Sequence, residues 1–345
     1  MEKNSTAVTK TQIAEQYRYM ELVRNLFAGR EKFVFMQTFG CQQNEADSER
    51  LCGMAELMGY TVTDDPDQAD LIIVNTCAVR EHAELKTLSI AGQYKHIKEK
   101  NPDLIIGICG CMVSQEHRTL DIKNKYPYID FLFGTYDNYR FPEILYQTLT
   151  SGKRILLGNE GDASIAEGLP VHRFSSFKAW VSIMYGCNNF CTYCIIPYAR
   201  GPVRSRNIEK IVSEVETLAE NGYKEVVLTG IHIGSYGKDL NNGLKLIDVI
   251  ESVNNVKGIE RIRLGSIEPV IITQDFVSRA KNLTKLCPQF HLSLQSGSNA
   301  TLKRMNRHYT SEEYKKAVEL LRENIPDTSI TTDLMVGFSG ETQDE

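Results

Sequence analysis

Three cysteines in the run Cys187-Asn-Asn-Phe-Cys191-Thr-Tyr-Cys194 stand at C-x3-C-x2-C spacing. Three thiolates so placed hold three irons of a [4Fe–4S] cluster and leave the fourth iron open, where such clusters normally take four cysteine ligands. An open iron can bind the amino and carboxylate groups of S-adenosylmethionine (SAM), pass it one electron and cleave it to a 5′-deoxyadenosyl radical. The cofactor carries that chemistry and the protein positions it. A zinc site more often pairs two C-x2-C units or mixes in histidines. The competing reading is a structural or redox C-x2-C inside the run; no fourth cysteine follows nearby, which favours the open iron.

A second set sits on three strand ends. Phe33-Val-Phe-Met-Gln-Thr-Phe-Gly-Cys41, Leu71-Ile-Ile-Val-Asn-Thr-Cys77 and Leu104-Ile-Ile-Gly-Ile-Cys-Gly-Cys111 each join a continuous apolar run to a cysteine. Such runs mark parallel strands covered on both faces. Helical patterns at Ser48 to Met58 and Glu81 to Lys100 separate them, giving β-α-β-α-β with right-handed crossovers. Parallel strands deliver their carboxyl ends to one edge, so Cys41, Cys77 and Cys111 converge there as ligands of a second cluster with an open iron. Buried structural cysteines are the alternative. Cys52, Cys109 and Cys287 read as core, although Cys109 is close enough to Cys111 to leave open which thiolate ligates.

The elements that must position the first set follow from its flanks. Trp180 to Gly186 is a short β-rich run ending in glycine, so the cysteines lie on the loop leaving a strand. Residues 207–221 read as an amphipathic helix with Ile208, Ile211, Val212, Val215 and Leu218 on one face. Strand, ligand loop and helix make the first unit of a β/α barrel, whose chemistry sits at the carboxyl ends of its strands. Further strands are expected at 225–229, 261–264, 290–294 and 329–336, with helices at 248–254 and 312–324. That is five β/α units at most, an open barrel that stops just after Gly337-Phe-Ser-Gly-Glu341 as if truncated. Tyr193 either packs its ring against the cluster or fills core. The expected organisation is α/β: a helical extension over 1–30, a parallel-sheet domain over 31–145, a linker over 146–178 and the partial barrel over 179–345.

The chain of 345 residues is 42% hydrophobic, enough for two buried cores. Residues 1–28 lack the apolar run of a signal peptide and no stretch reaches membrane-spanning length, so a cytoplasmic protein without a membrane partner is expected. Nine cysteines without an export signal point to cluster ligation in a reducing compartment. A net charge of −5 gives no global attraction to nucleic acid, so RNA must be met by local basic patches. Arg200, Arg204 and Arg206 form one such patch, or else a solvated loop.

Thr38-Phe-Gly-Cys41-Gln-Gln-Asn44, Asn75-Thr-Cys77-Ala-Val-Arg80-Glu81, Gly110-Cys111-Met112 and the Cys187 run together resemble the radical-SAM methylthiotransferases over roughly residues 33–345. The resemblance implies an N-terminal α/β cluster domain, a radical-SAM partial barrel and a C-terminal RNA-binding β-barrel called TRAM, which is absent from this sequence. It implies two [4Fe–4S] clusters, SAM as both methyl donor and radical source, and a methylthio group inserted at C2 of an N6-modified adenosine beside the tRNA anticodon. Cys187, Cys191 and Cys194 match the ligands of the SAM cluster; Cys41, Cys77 and Cys111 match those of the auxiliary cluster that handles sulfur. Thr229 and Gly230 fall where the family contacts the SAM amino group, Gln295 and Ser296 where it lines the SAM pocket, and Gly337, Phe338 and on to Glu341 where backbone meets the adenine. The glycines among them have turns as their plainer use.

The implied partners are a tRNA anticodon stem-loop, an electron donor such as flavodoxin or ferredoxin, and a sulfur source. At the substrate the resemblance divides. The N-terminal motifs look like the branch acting on N6-isopentenyladenosine; Arg200-Gly-Pro-Val-Arg-Ser-Arg206, Leu228-Thr-Gly-Ile-His-Ile-Gly-Ser-Tyr236 and Gly265-Ser-Ile-Glu268 look like the N6-threonylcarbamoyladenosine branch. The isopentenyl branch is preferred. Adenine C2 carries a strong, non-acidic C–H bond, so a carbon radical is needed there, and the base must leave its anticodon stack, to be drawn in by the arginines above. A two-cluster electron-transfer protein is the reading from another class, separated from the enzyme by an anaerobic SAM cleavage assay.

Overall fold

The structure is a computed structural model that describes residues 7–78 and 81–345. Val79 and Arg80 of the Asn75 to Glu81 motif, and the first six residues of the expected extension, lie outside the described residues. The chain divides into two compact units, residues 1–174 with Tyr198–Gly201, and residues 175–197 with Pro202–Glu345.

The first unit is built on a six-stranded, wholly parallel sheet. Its elements run α1 (Lys10–Leu26), β1 (Lys32–Thr38), α2 (Gln42–Leu57), β2 (Tyr60–Thr63), β3 (Leu71–Thr76), α3 (Glu81–Lys100), β4 (Ile105–Gly110), α4 (Glu116–Lys125), β5 (Phe131–Phe133), α5 (Phe141–Ser151) and β6 (Ile155–Leu156). The spatial order is β2-β1-β3-β4-β5-β6. Alternate residues of β3 serve two cores: Leu71 and Ile73 join Val34, Met54, Phe131 and Phe133, while Ile72 and Val74 join Leu88, Ile106, Ile108 and Ile122. That double burial is why the strand reads as an unbroken apolar run.

The sequence pattern missed β2, and its position matters. By taking the outer place beside β1, it leaves β1, β3 and β4 as direct neighbours, with Thr38 opposite Asn75 and Thr76 opposite Gly110. The order reverses at β1, which is where open α/β sheets place their ligand crevice. The expected linker over 146–178 is also different: α5 and β6 occupy its first part and pack in the first unit, because Phe141, Ile144 and Leu145 complete the core under the sheet. Helix α1 inserts Met20 and Val23 into the same core.

Gly110 ends β4 at φ 96°, and a Cβ there would stand 2.5 Å from both Asn75 Oδ1 and the Thr76 carbonyl oxygen. Gly110→Ala is expected to cost the first unit about 2–5 kcal/mol through left-handed strain and overpacking. Chemical denaturation followed by circular dichroism should show the midpoint fall; an unchanged midpoint contradicts this.

The second unit begins with β7 (Lys178–Ser182), followed by the β8 (Met184–Tyr185) and β9 (Arg204–Ser205) hairpin; between its strands the chain runs through the cysteine loop and the short helix α6 (Ile196–Arg200), whose residues from Tyr198 on belong to the first unit. Then come α7 (Ile208–Glu220), β10 (Glu225–Thr229), α8 (Leu246–Asn254), β11 (Arg261–Leu264), α9 (Gln274–Ala280), β12 (Gln289–His291), α10 (Asn299–Arg304), α11 (Ser311–Asn324) and β13 (Ser329–Thr331). Strands β7, β10 and β11 pair in parallel, as do β12 and β13, and bridges Ile262 to Leu286 and Ile267 to Leu292 join the two groups. The result is the expected open arc of five parallel strands. Asn207 caps α7 by accepting from the Glu209 and Lys210 amides, and Ile211, Val215 and Leu218 bury its apolar stripe.

Candidate functional site

In the first unit Cys41 is the N-cap of α2, Cys77 directly follows β3 and Cys111 directly follows β4. Their thiols are electrostatic neighbours: burial pushes Cys111 up to about 11 against the pull of Arg200, and Cys41 and Cys77 add to the rise. Cys77 and Cys111 are buried and Cys41 is exposed; a buried thiol such as Cys111, costly to ionise alone, ionises readily when iron takes its sulfur. Cys109, by contrast, lies in the apolar cluster with Val34, Met54 and Phe131, so Cys111 is the cysteine of this pair that faces the set.

A buried amide network ties two of the cysteine-bearing loops together. Asn44 Nδ2 donates to Asn75 Oδ1 and to the Thr76 carbonyl, each at 3.0 Å, and Asn75 Nδ2 donates to the Asn44 carbonyl and Ser48 Oγ, each at 2.9 Å. The Cys111 amide donates to the Thr76 carbonyl at 2.9 Å. Fully paired networks of this kind rigidify what they join. These bonds supply a physical role for Asn44 and Asn75 in the motifs that carried the resemblance.

In the second unit Cys187, Cys191 and Cys194 line one loop. Burial pushes Cys187 up to about 11, opposed by the Asn189 amide, and Cys191 and Cys194 raise it further. Cys194 is raised by burial as well. Arg307 Nη1 donates to Cys191 Sγ at 3.3 Å, and its other nitrogen pairs with Glu268 at 2.9 Å. Glu268 in turn lies 3.0 Å from His232 Nε2 and accepts from Asn189 Nδ2 at 2.8 Å. Burial raises the Glu268 carboxyl, but His232, Arg307 and Asn189 outweigh it and hold it at about 2. Asn306 Nδ2 donates to the carbonyls of Asn189 and Phe190 at 3.1 and 3.0 Å, fixing the loop from α10's far end. Among the described residues no group of three or more His, Cys, Asp or Glu side chains is gathered for a single metal ion. A four-iron cluster spreads its thiolates over separate irons, and the donor sets found here, cysteines with N–H groups on their sulfurs, fit it.

The remaining sequence candidates divide. Thr229 is buried at the end of β10, its carbonyl accepting from the Ile183 amide at 2.8 Å, and a Cβ on Gly230 would stand 2.8 Å from the Met184 carbonyl. Gln295 has φ 70° and bonds through its backbone to Asp333 and Met335. Ser296 is buried, and its hydroxyl accepts from the Ser298 amide. Gly337 and Phe338 donate their amides to Glu341, and the Phe338 ring meets Tyr193 edge-on at 6.1 Å. Tyr193 is 38% exposed, so it does not fill core.

Arg200, Arg204 and Arg206 depart from the open basic loop that the sequence suggested: they are 3, 6 and 3% exposed. Arg200 bonds Cys111 and Asp47; Arg204 Nη1 donates to the Pro202 carbonyl, with its guanidinium 6.0 Å from the Tyr185 ring; Arg206 bonds the Ser182 carbonyl and Glu214. Internal acceptors draw all three inward. Sequence reasoning missed Asp47, Asn189 and Arg307. Asp47 had a signal in the polar run after Cys41, on a helix that buries Gln43, Asn44, Asp47 and Ser48; Arg307, 116 residues from Cys191, had none.

A model of the Radical SAM superfamily matches residues 181–345, and one described as Uncharacterized protein family UPF0004 matches residues 33–134. The chain is 45% identical over 338 residues to the tRNA-2-methylthio-N(6)-dimethylallyladenosine synthase of Thermoanaerobacter sp. (strain X514), covering 98% of this chain and 72% of that one. It is 48% identical over 315 residues to the synthase of that name from Clostridium beijerinckii, covering 91% and 69%. In structure it resembles the radical S-adenosylmethionine methyltransferase TsrM of Kitasatospora setae with cobalamin and a [4Fe–4S] cluster bound, at TM-score 0.60 and 15% identity over 88% of this chain and 69% of that one. The cobalamin-dependent S-adenosylmethionine radical enzyme OxsB matches at 0.59 and 16%, over 88% and 49%. Both likenesses are of fold. No described helix is long and apolar enough to cross a membrane.

Proposed function

We infer the reaction from the family: the chain belongs to the radical-SAM tRNA-2-methylthio-N(6)-dimethylallyladenosine synthases, enzymes that use SAM and [4Fe–4S] clusters, and it inserts a methylthio group at C2 of N6-isopentenyladenosine in tRNA. The observation that carries the reading is the pair of three-cysteine sets in separate units, each with a guanidinium N–H on one of its sulfurs. Cys187, Cys191 and Cys194 would hold the SAM-binding cluster; Cys41, Cys77 and Cys111 would hold the second. Bound together, the clusters and SAM supply one-electron reduction, a carbon radical, a methyl group and a site for the transferred sulfur.

The chain's own residues bind and orient. Arg307, paired with Glu268, holds the Cys191 sulfur; Asn189 and Asn306 hold the loop between the cysteines. Thr229, Gly230, Gln295, Ser296, Gly337 and Phe338 line the SAM site on backbone that is already fixed by strand ends and by Glu341. Phe190 and Tyr193 offer exposed rings on the cysteine loop, a stacking face for an unstacked base. The reaction takes place in the cytoplasm, on a tRNA anticodon stem-loop, with electrons from a flavodoxin- or ferredoxin-like donor and sulfur from a separate source.

An isopentenyl group needs an apolar pocket, whereas a threonylcarbamoyl group brings a carboxylate and further polar atoms that need partners. A site made for one leaves the other unpaired or poorly packed. With both modified anticodon stem-loops in one anaerobic reaction, mass spectrometry should find the methylthio product mainly on the isopentenyl RNA. Preferential modification of the threonylcarbamoyl RNA overturns the substrate assignment and promotes the other branch.

A further inference from the structure

Arg200 is a deeply enclosed cation at the first unit's cysteine site. Its side chain is 3% exposed; Nε donates to Cys111 Sγ at 3.1 Å and Nη1 to Asp47 Oδ2 at 2.8 Å. Asp47 is itself 4% exposed and is held by Gln43 Nε2 at 2.9 Å. The backbone before Arg200 is clamped too: the Ala199 carbonyl accepts from Thr135 Oγ1 at 2.6 Å and from Asn159 Nδ2 at 3.2 Å. Gly201 follows at φ 69°, where a Cβ would stand 2.4 Å from the Tyr136 hydroxyl. Four residues of the first unit thus come from a part of the chain otherwise belonging to the second.

A buried ion pair is a poor source of stability, since desolvation of two charges offsets their attraction and apolar residues of the same volume often do as well. A guanidinium set against a sulfur has another use. Three thiolates on an oxidised [4Fe–4S] cluster leave that group with net negative charge, and one-electron reduction adds to it. Hydrogen bonds to cluster sulfurs and nearby charge are among the levers that set the reduction potential.

We propose that Arg200 is a positioning residue for the cluster held by Cys41, Cys77 and Cys111: its Nε–H fixes the Cys111 sulfur, its charge stabilises the reduced cluster, and Asp47 aims the guanidinium. The inference rests on the reading of these cysteines as cluster ligands. It makes two predictions of opposite sign. Removing the cation destabilises the reduced form and moves the midpoint potential down. Removing the Asp47 charge takes negative charge away from beside the guanidinium, strengthens the positive field at the sulfur and moves the potential up. Arg200→Lys keeps the charge but loses the planar fork that serves both partners at once, so it falls between wild type and Arg200→Gln.

The test uses the full chain carrying Cys187→Ala, Cys191→Ala and Cys194→Ala, reconstituted anaerobically, with iron content and a potentiometric titration followed by electron paramagnetic resonance. At the potential where this parent is half reduced, Arg200→Gln should show about a tenfold lower reduced-to-oxidised ratio, equal to about 59 mV for one electron. Asp47→Asn should shift the ratio the other way. A merely structural pair moves neither potential, so unchanged midpoints in variants that retain the cluster overturn the proposal. Should Arg200→Gln take up no iron, Asp47→Asn decides alone: an upward shift supports the proposal and an unshifted or lowered midpoint overturns it. A parent without a cluster overturns the two-cluster reading itself, and the inference with it.

Discussion

Replacing Cys187 by alanine is expected to abolish 5′-deoxyadenosine formation and to remove about four of the roughly eight irons taken up on anaerobic reconstitution. Cys77→Ala should remove the same number of irons and stop methylthiolation, yet leave SAM cleavage measurable. The reason is that the two cysteine sets rest on separate cores: Cys77 follows a strand packed between two clusters of the first unit, and Cys187 belongs to a loop anchored on the core of the second. Loss of one set of ligands therefore need not disturb the other. Iron analysis, chromatography of 5′-deoxyadenosine and mass spectrometry of the RNA nucleosides read the three quantities separately. Complete loss of SAM cleavage in a correctly folded Cys77→Ala protein contradicts this division of labour.

Glu268→Leu is expected to destabilise the second unit by about 3–5 kcal/mol, the usual cost of removing one member of a buried charge set. The carboxylate is 6% exposed and is shared by His232, Arg307 and Asn189. Without it the Arg307 cation loses its counter-charge while it still faces Cys191, so the SAM-binding cluster should be retained less well. The pH dependence follows from the carboxyl's depressed value of about 2. Its contribution is fully present above the unfolded value of about 4.3 and is lost as pH falls from there toward 2, because the unfolded chain takes up the proton first. Denaturation midpoints of wild type and Glu268→Gln should therefore converge as pH falls through that window. Parallel profiles across it refute the assignment of this stabilisation to the Glu268 charge.

The two cysteine sets, the parallel order of the strands that bear Cys41, Cys77 and Cys111, and the strand-loop-helix around Cys187 were legible in the sequence alone. Each is a local signal: ligand spacing within eight residues, unbroken apolar runs, and a 3.6-residue stripe from Ile208 to Leu218. Family-specific motifs extended this to the reaction, and the relatives carry the same reading. What the sequence could not determine is where long-range partners lie. Three arginines within seven residues look like a surface for phosphate until their acceptors, Cys111, Asp47, Pro202, Ser182 and Glu214, close around them. Asn44 and Asn75 look like ordinary polar residues until the start of α2 comes to rest beside the end of β3 and their side chains meet. Arg307 reaches Cys191 across 116 residues, and Tyr60–Thr63 takes a sheet edge that no period of so short a segment announces. Hydrogen bonds and ion pairs of buried polar groups are settled by which backbone segments the two cores bring together, and only the folded chain contains that information.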